Sequence, residues 1–206
     1  MRGRAAGSAR DFMTLDVGSG SLVGAAARLF RKSGYAGATT RQLARALGVR
    51  SPSLYFHIGK KEDLLYEICV DCLRRLTKLV TASVDAEHRP LARVRALIRT
   101  HIRVALADTD KHVTMLVELR SLAPRRRAAV VRLRDAYERL VRRKIQQAQR
   151  AGTIRADIPS KYLALALHNL LNWSIFWYQP GRGLDPDELA EVLAKVFLEG
   201  ATRRRR

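Results

Sequence analysis

The chain predicts an all-α protein of about nine helices, and three features of its 206 residues carry that prediction. Apolar residues recur at i, i+3 and i+4 over most of the length. Gly, Pro and small polar residues fall where such stripes begin and end. No period-2 run bounded by turn residues and no internal repeat interrupts them.

The helices follow in order. From Ser21, Leu22, Ala26, Leu29 and Phe30 share one face, and "SGY" ends the helix at Gly34. In "TTRQLARALG", Thr39 and Gln42 have the spacing of a capping box, and Gly48 closes a helix of barely two turns. A third short helix has Ser51 as N-cap and Pro52 at its first position, and ends near Gly59. A long helix starts at Lys61 with Leu64, Leu65, Ile68, Cys72, Leu73, Leu76 and Val80 on one stripe.

After Pro90, the stripe Leu91, Val94, Ile98, Ile102 and Ala105 predicts a fifth helix, and Val113, Leu116, Val117 and Arg120 a short sixth. Val130, Leu133, Tyr137, Leu140, Ile145 and Ala148 mark a seventh, closed by Gly152. The segment "IPSKYLALALHNLLNWSIFWY" is apolar nearly all round and is expected to be buried on most sides. The last helix has Asp185 as N-cap, Pro186 next, Glu188 at the third position and Gly200 after its end. Its predicted apolar face is Leu189, Val192, Leu193, Val196 and Phe197.

A net charge of +20, from 39 basic against 19 acidic side chains, calls for a polyanionic partner. Nucleic acid is the commonest such partner, followed by an anionic membrane surface or a phosphorylated small molecule. No apolar signal segment or run of about 18 apolar residues occurs, so a cytoplasmic protein is expected. Cys69 and Cys72 form one C-x-x-C within the long helix rather than at a helix N-terminus, and read as small core residues. The histidines 57, 88, 101, 112 and 168 have no zinc-site spacing, and no nucleophile elbow or phosphate-cradling Gly loop is present. An enzyme acting on an anionic substrate therefore has little support, and no cofactor or metal is expected. An architectural protein coating DNA by charge alone would leave the large apolar second half without a role.

Two short helices joined at Gly48, after a longer packing helix, have the outline of a helix-turn-helix, with residues 51–58 as the groove-entering helix. Here "GATTRQLARALGVRSPSLYFHIGKKEDLL" resembles the DNA-binding signature of TetR-family transcriptional regulators through Thr39 or Thr40, Leu43, Ala44, Gly48, Val49, Leu54, Tyr55, His57, Lys61 and Leu64 or Leu65. Arg50, Ile58 and Lys60 depart from the family pattern. Thr39, Thr40 and Arg41 stand where helix-terminal N–H groups and a guanidinium hold a phosphate. By the resemblance, Tyr55 and His57 face the groove and Lys61 grips a flanking phosphate. Arg50, Ser51, Ser53 and Lys60 complete the expected double-stranded DNA contacts. Phe56 is expected to pack beside the groove.

The resemblance implies a division into a flexible basic arm (1–18), a DNA-binding domain (19–65), a ligand-binding and dimerisation domain (66–202) and a basic tail (203–206). It also implies a homodimer built on the last two helices, bound to a palindromic operator and released by a small-molecule effector. The stretch "NLLNWSIFWYQPGRGLDPDEL" further resembles regulators that answer acyl-CoA thioesters. Asn169, Asn172, Trp173, Phe176 and Trp177 are then pocket candidates, or else aromatic filler of the dimer interface. Arg95, Arg99 and Arg103, one turn apart, form either a solvated face or a receiver of coenzyme A phosphates. Arg120 falls on an apolar stripe, where a buried cation needs an anion: a ligand's, or that of Glu118 or Asp135.

Overall fold

The computed structural model describes residues 22–46 and 60–201. Eight α-helices occupy them: α1 (Leu22–Gly37), α2 (Thr40–Ala46), α3 (Lys61–Asp85), α4 (Pro90–Ala107), α5 (Thr109–Glu118), α6 (Pro124–Arg150), α7 (Ser160–Trp177) and α8 (Pro186–Ala201). A single 3₁₀ turn, Leu119–Ser121, joins α5 to α6. The expected helix 51–58, the basic arm and the basic tail lie outside the described residues, as do Arg50, Ser51, Ser53, Tyr55 and His57.

Both expected capping boxes form, whereas Gly200, expected after the end of the last helix, lies inside α8. Gln42 N–H donates to Thr39 Oγ1 at 3.2 Å, and Thr39 N–H donates to Gln42 Oε1 at 2.8 Å, which closes the box at the head of α2. The same exchange joins Asp185 to Glu188, at 2.8 and 2.9 Å. At α3 the cap is one-sided. Lys60 carries no acceptor, but its N–H donates to the Asp63 carboxylate at 2.6 Å, so a first-turn acid replaces half of the missing box.

Two large cores and a small cluster of Ala105, Val113 and Ile175 fill the described residues. Leu22, Ala26 and Phe30 of α1 and Leu43 of α2 close on Leu64, Leu65, Ile68 and Cys69 of α3, and Met115 of α5, Leu122 just before α6 and Val130 within α6 belong to the same cluster. Leu76, Val80 and Val84 of α3 enter the second core with α4, α6, α7 and α8. Each fully buried Phe, Leu or Ile contributes about 1.5–3 kcal/mol, so α3 spans both parts of the molecule by packing. Cys69 and Cys72 are buried free thiols. Burial pushes both up to about 12, which makes them protonated packing groups.

Three faces differ from the sequence expectation. In α5 the buried run is His112, Val113, Thr114 and Met115, whereas Val117 is 55 % exposed and Arg120, in the following turn, is exposed. The helix stops at Glu118, so the predicted stripe runs past its end. α7 is open along Tyr162, Trp173, Phe176 and Trp177, and α8 along Val192 and Val196. Ala190, Ala194 and Leu198 take the core positions of α8 instead.

α1 is broken at Gly34 (φ 69°, ψ 158°), a region essentially reserved for glycine. The break lets the Tyr35 N–H turn toward Glu118 of α5 and donate to its Oε1 at 3.0 Å. Gly34→Ala is therefore expected to cost about 1–3 kcal/mol in a urea melt. Gly37→Ala, in regular helix, is expected to be neutral or to stabilise by up to about 1 kcal/mol.

His101 and His112 are polar exceptions in the interior, each 1 % exposed. Burial is the main cause that holds His101 well below the ordinary imidazole range and lowers His112 to about 4. The unfolded chain takes up these protons near pH 6.5, so between there and about pH 4 it binds more protons than the folded state. Stability must then fall as pH drops through that window, by roughly 3 kcal/mol for His112 alone. Urea midpoints measured from pH 7 to pH 4 are expected to fall less in the double variant His101→Asn, His112→Asn.

Candidate functional site

Two regions concentrate the predicted residues. At the DNA-binding end, α2 buries Leu43 and Ala44 and leaves Arg41, Gln42 and Arg45 exposed. Thr39 is exposed, but its hydroxyl donates to Gln42 Oε1 at 3.0 Å, so the cap uses the donor that a phosphate would take. Thr40 opens α2 and Lys60 is exposed just before α3. Lys61 is differently engaged. Its Nζ donates to the carbonyls of Tyr35 and Ala38 at 2.7 and 2.9 Å and sits 4.3 Å from the Tyr35 ring centroid. It thus pins the corner between α1 and α2 to the first turn of α3, with two of three N–H groups spent.

The adjacent acids of that turn reach the other way. Glu62 Oε1 accepts the Ala123 N–H at 2.8 Å, and Asp63 pairs with Arg126 of α6. The Arg126 guanidinium also lies 5.5 Å from the Tyr66 ring. The start of α3 is therefore a joint between the helix-turn-helix and α6.

In the second half, α3, α4, α5, α6 and α7 enclose a cavity of about 380 Å³. Leu73, Leu76, Met115 and Leu116 give it apolar walls. Its polar lining includes His101, His112, Tyr137, His168 and Asn172. Tyr137 Oη lies 2.8 Å from His101 Nδ1, and Cys72 Sγ 3.4 Å from His112 Nδ1. The Nε2 atoms of His101, His112 and His168 are buried without a hydrogen-bond partner among the described residues. Burial is the first cause of a lowered basicity in all three imidazoles; for His101 and His112 the side chain of Asn172 works against it. Arg134, Asp135, Glu138, Arg142 and Lys161 bring charge to the same cavity.

Of the predicted ligand residues, only Asn172 lines this cavity. Asn169, Trp173, Phe176 and Trp177 are exposed on the outer side of α7. Arg95, Arg99 and Arg103 face α8 instead. Arg95 and Arg99 share Glu191, the first at 2.9 Å, and Arg103 pairs with Asp187. Arg120 is exposed, and the Glu118 carboxylate takes Tyr35 N–H and Ser121 Oγ, the latter at 3.1 Å, rather than a guanidinium. Sequence reasoning set the histidines aside because it tested them for metal spacing. The available signal was that His101 lies on the α4 stripe between Ile98 and Ala105, where a polar ring is out of place.

Residues 87–201 match the family model described as "Tetracyclin repressor-like, C-terminal domain", and residues 22–68 match "Bacterial regulatory proteins, tetR family". The transcriptional repressor KstR2 of Mycobacterium tuberculosis is 25% identical over 185 residues, which is 89% of this chain and 92% of that protein. The crystal structure of the regulator PfmR from Thermus thermophilus superposes with a TM-score of 0.81 at 30% identity, covering 88% of this chain and 99% of that one. That of AibR with isovaleryl coenzyme A and operator DNA gives 0.78 at 24% identity, covering 85% and 95%. With both halves matched in order, the chain belongs to the TetR family of transcriptional regulators.

Proposed function

We propose that this chain is a dimeric repressor that leaves a palindromic operator when an acyl-CoA thioester occupies the cavity. The observation that carries the reading is the position of α5. Its His112, Met115 and Leu116 line the cavity, while Asp110 pairs with Arg31 of α1 at 2.9 Å and Thr114 Oγ1 donates to the Ala27 carbonyl at 3.2 Å. Glu118 adds the bond to Tyr35. A ligand that displaces α5 therefore tilts α1 and, through it, the recognition unit, which shifts the population away from the operator-binding arrangement.

The effector class rests on the cavity's entrance and on AibR, a protein of this fold whose complex holds isovaleryl coenzyme A. Arg134, Glu138 and Arg142 repeat every four residues on α6, and Lys161 stands at the start of α7. The two arginines and the lysine outnumber Asp135 and Glu138, and suit phosphate oxygens. They take the role that the α4 arginines were expected to have.

On the DNA side, Thr40, Arg41 and Lys60 are read as phosphate contacts, Lys61 as the support that orients them, and Thr39 as their cap. Arg50, Ser51, Ser53, Tyr55 and His57 keep the contacts that the family signature implies. Two recognition helices need a dimer to reach successive major grooves about 34–36 Å apart. The open apolar face of α7 and α8 suits a two-fold four-helix interface, with the tilted ring pair Trp173 and Phe176, 5.1 Å between centroids, on its α7 side.

Fluorescence anisotropy with DNA from the promoter of the chain's own gene tests the reading. Binding about 10³-fold tighter than to random DNA is expected. Octanoyl-CoA should release it, and Arg41→Ala should lower the slope of log affinity against log salt by about one. Binding no better than to random DNA would falsify the repressor reading.

Val196→Glu places a carboxylate in each half of the proposed interface, where desolvation and like-charge repulsion oppose pairing. Sedimentation velocity is expected to show a dimer for the parent chain and a monomer for the variant. A variant that stays dimeric would put the interface elsewhere.

A further inference from the structure

The buried end of the cavity is specific in its hydrogen-bonding sense. Tyr137 is 3 % exposed, and its phenol, kept protonated by burial, lies 2.8 Å from His101 Nδ1. The arrangement that gives this buried O–H an acceptor directs its proton at Nδ1 and places the proton of a neutral His101 on Nε2. The same reasoning applies next to it. Cys72 is a protonated thiol 3.4 Å from His112 Nδ1, and its S–H directed at that nitrogen places the His112 proton on Nε2 as well. The two rings are 5.7 Å apart, edge to face, both 1 % exposed, and neither Nε2 atom has a partner at hydrogen-bond distance among the described residues, although the Asn172 side chain acts on both rings. Two buried N–H donors thus line one apolar-walled cavity. A donor left unsatisfied in such a place costs about 1–3 kcal/mol, so the site discriminates against a ligand that offers it only hydrocarbon.

We infer that the inner end of this cavity selects a ligand whose buried portion carries its own carbonyl oxygen, held by the Nε2–H groups of His101 and His112. A carbonyl has two lone pairs and no proton to leave stranded, which fits two donors better than a hydroxyl does. A carboxylate would bring an uncompensated charge against neutral rings. Tyr137 and Cys72 act as positioning residues, because each fixes which nitrogen of its histidine bears the proton. The inference rests on the effector reading above and narrows it to an oxo-substituted acyl group, with the ketone oxygen additional to that of any thioester.

Calorimetric titration of the full chain tests it with matched probes: octanoyl-CoA, its analogue with a ketone near the far end of the chain, and the free acids of both. The oxo member is expected to bind about tenfold tighter or more. His112→Leu should reduce that ratio to near one. Tyr137→Phe, which keeps the ring volume but frees the His101 tautomer, should reduce it several-fold. His101→Gln, which retains an N–H donor, should preserve more of it than His101→Leu, and urea melts establish that each variant folds. A preference seen only with the free acids supports the carbonyl site and overturns the thioester reading. Equal binding of the pair, or tighter binding of the plain chain, overturns the carbonyl site. Silence from all four probes overturns both.

Discussion

The seam between α5 and α1 is the contact on which the rest of the structure depends. Thr114 and Ala27 meet there with almost no exposure to solvent, so the Thr114 hydroxyl must spend its bond on a carbonyl of α1 or leave it unmade. Above and below, Asp110 and Glu118 repeat the tie to Arg31 and Tyr35. Because the three anchors lie along one ten-residue helix, α5 cannot move without either carrying α1 with it or breaking a buried hydrogen bond. The opposite side of the same helix forms cavity wall. Packed elements of this kind respond in discrete steps rather than by continuous deformation, which is what a switch requires.

Charge is divided between two uses that composition alone does not separate. The α4 arginines are cross-braced to Glu191 and Asp187 of α8, and exposed, solvent-screened pairs of this kind add little to stability. Their effect is to hold α8 in register on α4. The Lys61 ammonium is likewise used inward, on two carbonyls and a ring, and its neighbours Glu62 and Asp63 neutralise the first turn of α3 while tying it to α6. Exposed bases at the DNA-binding end include Arg41 and Arg45 of α2 and Lys60 just before α3.

Helix order, the two capping boxes and the buried stripes of α3, α4 and α6 were legible in the sequence, because each depends on residues within one or two turns of each other. The faces of α5, α7 and α8 were not. Periodicity marks a residue as apolar without saying whether its partner is the same chain, and Val192 and Val196 look no different from Leu189 and Leu193 until the core is assembled. Arg95, Arg99 and Arg103 were visible as a ladder, but their partners Asp187 and Glu191 are about ninety residues away and share no local pattern with them. The histidines were hidden for another reason: His101, His112 and His168 come from three helices, and only the fold makes them neighbours.

α7 joins these observations. Its residues fall into three stripes: Leu163, Leu167, Leu171 and Ile175 in the core, Lys161, Leu165, His168 and Asn172 along the cavity, and Tyr162, Asn169, Trp173 and Phe176 on the open side. That division accounts for the apolar character read all round this helix, since three surfaces compete for eighteen residues. It also has a mechanical consequence. In the proposed dimer, a ligand held against His168 and Asn172 would press on the helix that offers its outer stripe to a second copy, so cavity occupancy and the pairing angle of two chains would be linked through one rigid element. On the proposed function, the α5 seam would tilt each recognition unit within its own chain, and α7 would set how the two chains face each other. The match to operator spacing would then depend on both, and residues of both helices line the same cavity, within reach of a single ligand.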